Sequence, residues 1–181
     1  EKARFTLEYT RAIAPVIGPK VDVPAPDVNT DGQTMKYVVY GYAEHVGKTP
    51  QEVYAVTTGK LLEMGGHLAR EQATGQGVKY TAKRATEIFL KQQVQDTTYS
   101  IQGFGNVGSF TALGLHELGG KVVCVSDEYG SIYDPNGINI PELMKHARVK
   151  IGANGTERPQ GLRNYPGFVA GTSEASLFAE C

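Results

Sequence analysis

The sequence predicts an α/β protein whose sheet is of the parallel, doubly wound type. Three features in the second half of the chain support this fold class. A strand-like run at 99–102 leads into a glycine-rich turn, the turn opens an amphipathic helix that ends at Gly119-Gly120, and an apolar strand follows at 121–127. Strand, helix and strand in this order form the unit that places parallel strands side by side.

The composition is that of a globular protein with a sizeable core, since hydrophobic residues make up 40% of the 181 residues. A net charge of −1 creates no overall field that attracts nucleic acid or a membrane, so small molecules and protein subunits are the expected partners. No apolar run reaches the roughly 18 to 20 residues of a membrane-spanning helix. The two cysteines, Cys124 and Cys181, indicate neither a disulfide framework nor a metal site, which favours a reducing, cytoplasmic location.

The first half of the chain is predicted to be mainly helical. Its first helix has apolar side chains at helical spacing: Phe5, Tyr9, Ala12, Ile13 and Val16. A short strand is expected at 20–24, then a second helix at 35–46 whose apolar face packs against a core. The many glycines of 49–77 predict loops, and a third helix follows at 78–92. A break near residue 48 marks the best domain boundary.

The glycine-rich turn matches the pattern G-x-G-x-x-G, in which each glycine has a physical reason. The first permits the tight turn, the second lets the backbone approach a pyrophosphate, and the third lets the helix pack closely on the strand. The residues of the turn are Gly103, Phe104, Gly105, Asn106, Val107 and Gly108. Together with its flanking strands and helix, the pattern predicts a Rossmann dinucleotide site. The alternative is a glycine-rich turn in another kind of α/β protein.

Asp127 is the candidate for the acid that binds the ribose hydroxyls, because it ends the second strand 19 positions after Gly108. Its alternative role is that of a strand-end turn residue. Glu128 follows, and 127–132 contains no lysine or arginine to balance a 2′-phosphate. The pattern therefore favours NAD over NADP, although NADP stays open because a cation could come from elsewhere in the fold.

Four blocks, at 22–31, 58–60, 65–77 and 101–108, resemble the glutamate dehydrogenase family of amino-acid dehydrogenases. The match runs from about Asp22 to Cys181, as an internal fragment would. The resemblance implies that 1–48 is the end of an α/β substrate and oligomerisation domain, and that 49–181 is a Rossmann-like coenzyme domain that is incomplete at its C-terminus. It also implies NAD(P)-dependent, reversible oxidative deamination of L-glutamate to 2-oxoglutarate and ammonia by a cytoplasmic homo-hexamer.

The same resemblance implies roles for three further residues. Asp27 would be the acid/base that moves protons between amine and water, with a turn or helix cap as its alternative role. Arg70 would hold a substrate carboxylate, and the Thr74 hydroxyl would hold the nicotinamide carboxamide. Lys60 is equally a site residue or a solvated loop lysine. The four histidines lack metal-site spacing and are expected to be structural: His45, His67, His116 and His146.

The chain also departs from the family pattern. The glycine-rich segment with the catalytic lysine and the lysines that hold the substrate carboxylates have no counterpart in these 181 residues, so the chain by itself is expected to be inactive. His67 and Ala69 stand where small Ser and Gly residues are expected. Two other hypotheses remain: a leucine, valine or phenylalanine dehydrogenase, and a dinucleotide-binding module without catalysis.

Overall fold

The computed structural model describes residues 1–27, 29–151 and 158–171. The chain forms two compact units, Glu1–Arg70 and Glu71–Cys181. The sequence boundary near residue 48 is a different one, since it separates a predicted substrate domain from a predicted coenzyme domain. It stays a prediction. In the part of the chain that the structure describes, no helix combines the length and the apolar character needed to cross a membrane.

The first unit is built on two helices, α1 at Lys2–Ile13 and α2 at Gly32–Val46. Short 3-10 turns follow α1 at Ala14–Val16 and follow α2 at Pro50–Val56 and Leu62–Met64. Most of the apolar face of α2 is buried as predicted, since Met35, Val38 and Val39 are at most 5% exposed, but Val46 at its end is 38% exposed. Its core consists of Ile17, Val39, Ala43, Val53, Val56 and Met64.

The helix α1 buries a different face from its apolar one. Phe5 and Tyr9 are 70% and 54% exposed, whereas Thr6 and Thr10 are buried. A Cβ atom on Gly41 of α2 would lie 3.0 Å from the Cβ of Thr10, so the helices cross too closely for large side chains. The threonine hydroxyls donate to carbonyls one turn earlier in α1, which satisfies their polar atoms.

The prediction of a strand at 20–24 is wrong. Residues 18–21 form bends and turns and 22–27 have no regular secondary structure; hydrogen bonds run from Gly18 N–H to the Asp22 carbonyl (2.9 Å) and from Thr58 N–H to the Pro24 carbonyl (2.9 Å). Pro24 and Pro26 have no N–H to donate to a neighbouring strand. The segment is therefore fixed against the loop at 57–60 by individual bonds.

The second unit contains the predicted sheet. Its strands are β1 at Thr98–Gln102, β2 at Lys121–Asp127, β3 at Gly130–Tyr133, β4 at Lys150–Ile151, β5 at Arg158–Pro159 and β6 at Phe168–Ala170. The main sheet has the order β1-β2-β3-β6, in which β1 and β2 pair in parallel, and β3 pairs antiparallel with both β2 and β6, so that only β3 runs against the other three strands. The helices α4 (Asn106–Glu117) and α5 (Ile140–Ala147) complete a core that includes Leu115, Val122, Val125, Ile132, Ile140, Leu143 and Leu162.

The glycine-rich segment at 70–77 is helical, which corrects the loop prediction. A helix, α3, runs from Arg70 to Ala85. A Cβ atom on Gly75 would lie 2.6 Å from the Cβ of Phe110 and 2.9 Å from the carbonyl oxygen of Val107. Gly75 thus allows α3 to touch the backbone of α4, and it is a packing residue rather than a turn residue.

Gly75→Ala should destabilise the chain by about 1 to 3 kcal/mol, because α3 and α4 must separate to fit the added methyl group. Gly77→Ala is the matched control, since a Cβ there meets nothing within 4 Å. It should stabilise the chain by about 0.5 to 1 kcal/mol through helix propensity. Urea denaturation of both variants checks this, and equal effects would contradict the packing role.

Asp31 caps α2, because its Oδ1 accepts hydrogen bonds from the N–H and the hydroxyl of Thr34, both at 2.8 Å. Burial alone raises the pKa of this carboxyl, but the bonds from Thr34 and the charge of Lys2 bring the pKa below its ordinary value. A carboxyl with a lowered pKa stabilises the fold above its unfolded pKa, and this contribution is lost as the pH falls through the folded pKa.

Asp31→Ala should therefore cost about 1 kcal/mol of unfolding free energy at pH 7. The difference from the unsubstituted chain should shrink below about pH 4, where the unfolded carboxyl is protonated. Urea titrations at several pH values measure it. Asp22→Ala, an exposed site outside α2, is the control, and a difference that does not change with pH would argue against the charged cap.

Candidate functional site

The predicted glycine turn lies at the carboxyl end of β1. Gly103 has a φ of 83°, a left-handed conformation that favours glycine, and its N–H donates to the Ser126 carbonyl of β2 at 2.9 Å. A Cβ atom on Gly108 would lie 1.8 Å from the carbonyl oxygen of Gly103. The first and third glycines thus have the turning and packing roles that the sequence assigns to them.

The second glycine of the turn faces open space. Gly105 is the N-cap residue of α4 without a side-chain cap, and a Cβ there would meet nothing within 4 Å. Uncapped N–H groups at the start of a helix bind phosphate well. Gly105 also lines a cavity of about 190 Å³ whose wall consists of Glu71, Phe104, Gly105, Asn106, Ser109, Met144, Ala147, Arg148 and Pro159. An exposed backbone beside a cavity is what an approaching pyrophosphate requires, so these residues fit a dinucleotide.

The other residues of the turn differ in exposure. Phe104 is 8% exposed and belongs to the core, although it lines the cavity. Asn106 is exposed, and its side-chain amide donates to the Glu71 carbonyl of α3 at 2.6 Å. Val107 is 42% exposed. The first turns of α3 and α4 are therefore joined beside the cavity.

Asp127 ends β2 as predicted, and its carboxylate holds the backbone around it. Oδ1 accepts from the N–H groups of Tyr129 (2.8 Å) and Gly130 (3.2 Å), and Oδ2 accepts from Leu162 N–H (2.8 Å). The alternative role as a turn residue is therefore present in the structure. An ionised carboxylate has about four lone-pair sites, so Asp127 can still accept a hydrogen bond from a ribose hydroxyl.

In the first unit, the blocks at 24–27, 57–60 and 70 lie together. Arg70 donates to the Pro26 carbonyl at 3.3 Å, one residue before Asp27 in the chain. Gly59, with a φ of 61°, packs against Pro26 and Arg70, because a Cβ there would lie 2.4 Å from Pro26 Cγ and 2.9 Å from Arg70 Nε. Both Asp27 and Arg70 are exposed.

Backbone contacts fix the surroundings of Asp27. Its N–H donates to the Thr30 hydroxyl at 2.6 Å, and that hydroxyl donates to the Asp27 carbonyl at 2.8 Å. Lys60 donates from Nζ to the Thr57 carbonyl at 2.7 Å, so this lysine supports its own loop. Thr74 is exposed on α3 in the second unit. Among the described residues, no group of three or more His, Cys, Asp or Glu side chains could hold a metal ion.

The sequence prediction missed the far wall of the cavity, which comes from α5 and β5. A local signal for α5 exists, because Asn139 accepts at its start from the N–H of Glu142, and Pro141 follows the cap. That signal predicts a helix but does not say that Met144 and Arg148 meet the glycine turn. No sequence pattern singled out Arg163. Its guanidinium stacks on the ring of Tyr129, just beyond β2.

The turn, the parallel β1-β2 pair and the covering helices define a Rossmann-like α/β protein. Comparison with protein families then identifies which one. The model for the glutamate/leucine/phenylalanine/valine dehydrogenases matches residues 65–168, and the model for the dimerisation domain of the same family matches residues 1–44. The chain belongs to the Glu/Leu/Phe/Val dehydrogenase family, which confirms the resemblance.

Curated relatives include the glutamate dehydrogenase of Thermotoga maritima, 43% identical over 149 residues, and glutamate dehydrogenase A2 of Halobacterium salinarum, 44% identical over 152 residues. These matches cover 82% and 84% of this chain but only 35% and 36% of the two relatives. The chain thus spans about a third of their length.

Solved structures confirm the fold class. The hetero-hexameric glutamate dehydrogenase of Thermus thermophilus, in a leucine-bound form, superposes with a TM-score of 0.71 at 31% identity over 79% of this chain and 33% of that one. The enzyme of Plasmodium falciparum gives a TM-score of 0.69 at 30% identity over 80% and 30%.

Gly105→Ala tests whether the glycine turn binds a dinucleotide, and it does so without disturbing the fold, because the added methyl group would meet only open space. We expect NADH binding to weaken by about tenfold or more, since the methyl group occupies the path of the pyrophosphate. Gly77→Ala, at another position with open space, is the control. NADH fluorescence titration measures the change, and unchanged binding by Gly105→Ala would show that the dinucleotide does not approach this turn.

Proposed function

We propose that the protein is an NAD(P)-dependent glutamate dehydrogenase that converts L-glutamate reversibly into 2-oxoglutarate and ammonia. The observation that carries the proposal is the 3.3 Å contact between Arg70 and the Pro26 carbonyl. It ties Arg70, a cation that can hold a substrate carboxylate, to the backbone that immediately precedes Asp27, the acid that can exchange protons. Family membership and the glutamate dehydrogenase relatives support the choice of reaction.

The chemistry requires proton transfer and hydride transfer at one carbon. When bound, the nicotinamide would supply the acceptor for a hydride from the α-carbon, which leaves an iminium group on the substrate. Asp27 takes a proton from the ammonium group before hydride loss and releases it to solvent; it then takes a proton from the water that adds to the iminium carbon and gives it to the nitrogen that leaves as ammonia, while the new hydroxyl loses its proton to solvent as the carbonyl forms. Its exposure lets water and protons reach it. Arg70 fixes the substrate through a charge-assisted contact with a carboxylate.

We further propose that NAD is the preferred cofactor. Gly103 to Gly108 and the first N–H groups of α4 would hold the pyrophosphate, Asp127 would accept from a ribose hydroxyl, and Thr74 would hold the carboxamide. The acidic pair Asp127-Glu128 supports NAD, because it opposes an added phosphate.

Assembly and location are parts of the same proposal. A homo-hexamer in the cytoplasm is proposed for the whole protein, with the hexameric relative from Thermus thermophilus as support for the assembly. The 181 residues alone are proposed to bind dinucleotide without turnover, because no counterpart of the family's catalytic lysine was found among them.

Asp27→Asn in the full-length protein should lower kcat for glutamate by about a hundredfold or more, because the amide cannot accept and return a proton. Asp22→Asn is the matched control, since it makes the same change at an exposed site five residues earlier. Steady-state formation of NADH measures both.

Turnover nearly unchanged in Asp27→Asn would refute the acid/base role. Rates on leucine and phenylalanine belong in the same experiment. A higher kcat/KM for either than for glutamate would replace the proposed substrate with that amino acid. Steady-state turnover by the isolated 181-residue chain would show that the missing lysines are not needed.

A further inference from the structure

We propose that Arg163, stacked on Tyr129, donates hydrogen bonds to a phosphate on the 2′ position of the adenosine ribose, so that the site takes NADP in addition to the NAD that it prefers. This inference rests on the dinucleotide site of the proposed function. It identifies the cation that residues 127–132 lack in the sequence.

Arg163 comes to the end of β2 from a distant part of the second unit. The N–H of Leu162 donates to Asp127 Oδ2 at 2.8 Å, which ties the segment around Leu162 to the predicted ribose acid. Arg163 is the next residue, and its guanidinium carbon lies 3.7 Å from the centre of the Tyr129 ring. Tyr129 in turn follows Asp127 by two positions. The cation and the acid therefore occupy the same strand end.

The Arg163 side chain is held in place on one side. Its Nε donates to the Gln160 carbonyl at 2.9 Å, and its Nη2 donates to the Pro159 carbonyl at 3.3 Å. In the described part of the chain, Nη1 takes part in no hydrogen bond or ion pair that the structure records for Arg163. Pro159 also lines the cavity beside Gly105. The guanidinium is thus bonded to the backbone of a residue that lines the cavity, and it keeps N–H donors for a ligand.

The charges at this strand end suit a phosphate better than the sequence alone indicates. Three backbone N–H groups surround the Asp127 carboxylate and offset part of its negative charge. A guanidinium stacked on an aromatic ring keeps its plane fixed and presents its N–H groups at the edge, which matches the oxygens of a phosphate.

The other arginine at the cavity is a weaker candidate. Arg148 lies 3.7 Å from a carboxylate oxygen of Glu71 and 5.0 Å from the centre of the Phe110 ring. Its charge is therefore already balanced, and its contacts are with α3 and α4 instead of with the end of β2.

The experiment compares two small probes, 5′-AMP and 2′,5′-ADP, that differ only in the 2′-phosphate. Both are titrated into the 181-residue chain by isothermal calorimetry. We expect the unsubstituted chain to bind both probes, and Arg163→Gln to weaken the binding of 2′,5′-ADP about tenfold while 5′-AMP binding stays the same. Arg163→Lys should keep only part of the affinity for 2′,5′-ADP, because lysine has no planar fork.

Arg84→Gln is the matched control. It removes an arginine charge near Thr86, whose hydroxyl lies 3.1 Å from the Tyr99 hydroxyl at the start of β1, away from the glycine turn. The binding of 2′,5′-ADP should be unchanged in this variant.

Unchanged binding of 2′,5′-ADP by Arg163→Gln would overturn the role of Arg163 and leave the NAD site intact. Loss of both probes in Arg163→Gln would also overturn it, because the side chain would then be structural. If neither probe bound the unsubstituted chain, the dinucleotide site itself would fail, and the inference would fail with it.

Discussion

The start of α4 lies so close to the end of β1 that even a methyl group could not be placed between them, since a Cβ on Gly108 would be 1.8 Å from the Gly103 oxygen. The candidate cofactor site depends on this approach. It places the start of α4, with its first N–H groups, beside the cavity that Gly105 lines, while the parallel pairing of β1 with β2 brings Asp127 to the same edge of the sheet. No side chain supplies this geometry, because the backbone itself is the binding surface.

Asp127 shows that a site residue can also be a structural one. Its two oxygens accept three backbone N–H groups, from the turn after β2 and from Leu162. The turn and the segment that carries Arg163 therefore share one anchor. The carboxylate of Asp127 thus serves both the proposed ligand contact and the folding of the loops around it. A substitution that removes the carboxylate would affect both roles at once.

The sequence predicted those features whose cause is local. The helix α2 has its own apolar face and its glycine end, and the turn at 103–108 has a pattern in which each glycine has a separate reason. The loop prediction for 70–77 failed because the role of a glycine depends on the residue that packs against it. Gly75 faces Phe110, which is distant in sequence. The cavity wall and Arg163 could not be predicted for the same reason, since β5 and the residues after it reach the site only through tertiary folding.

The contact between α3 and α4 also has a mechanical consequence. Gly75 brings the two helices together backbone to backbone, and the Asn106 amide bonds the Glu71 carbonyl at their first turns. Helices in such contact cannot slide past each other without a steric clash, so α3 and α4 move together as one rigid unit. The position of the N–H groups that face the cavity therefore depends on α3 as well as on the glycine turn.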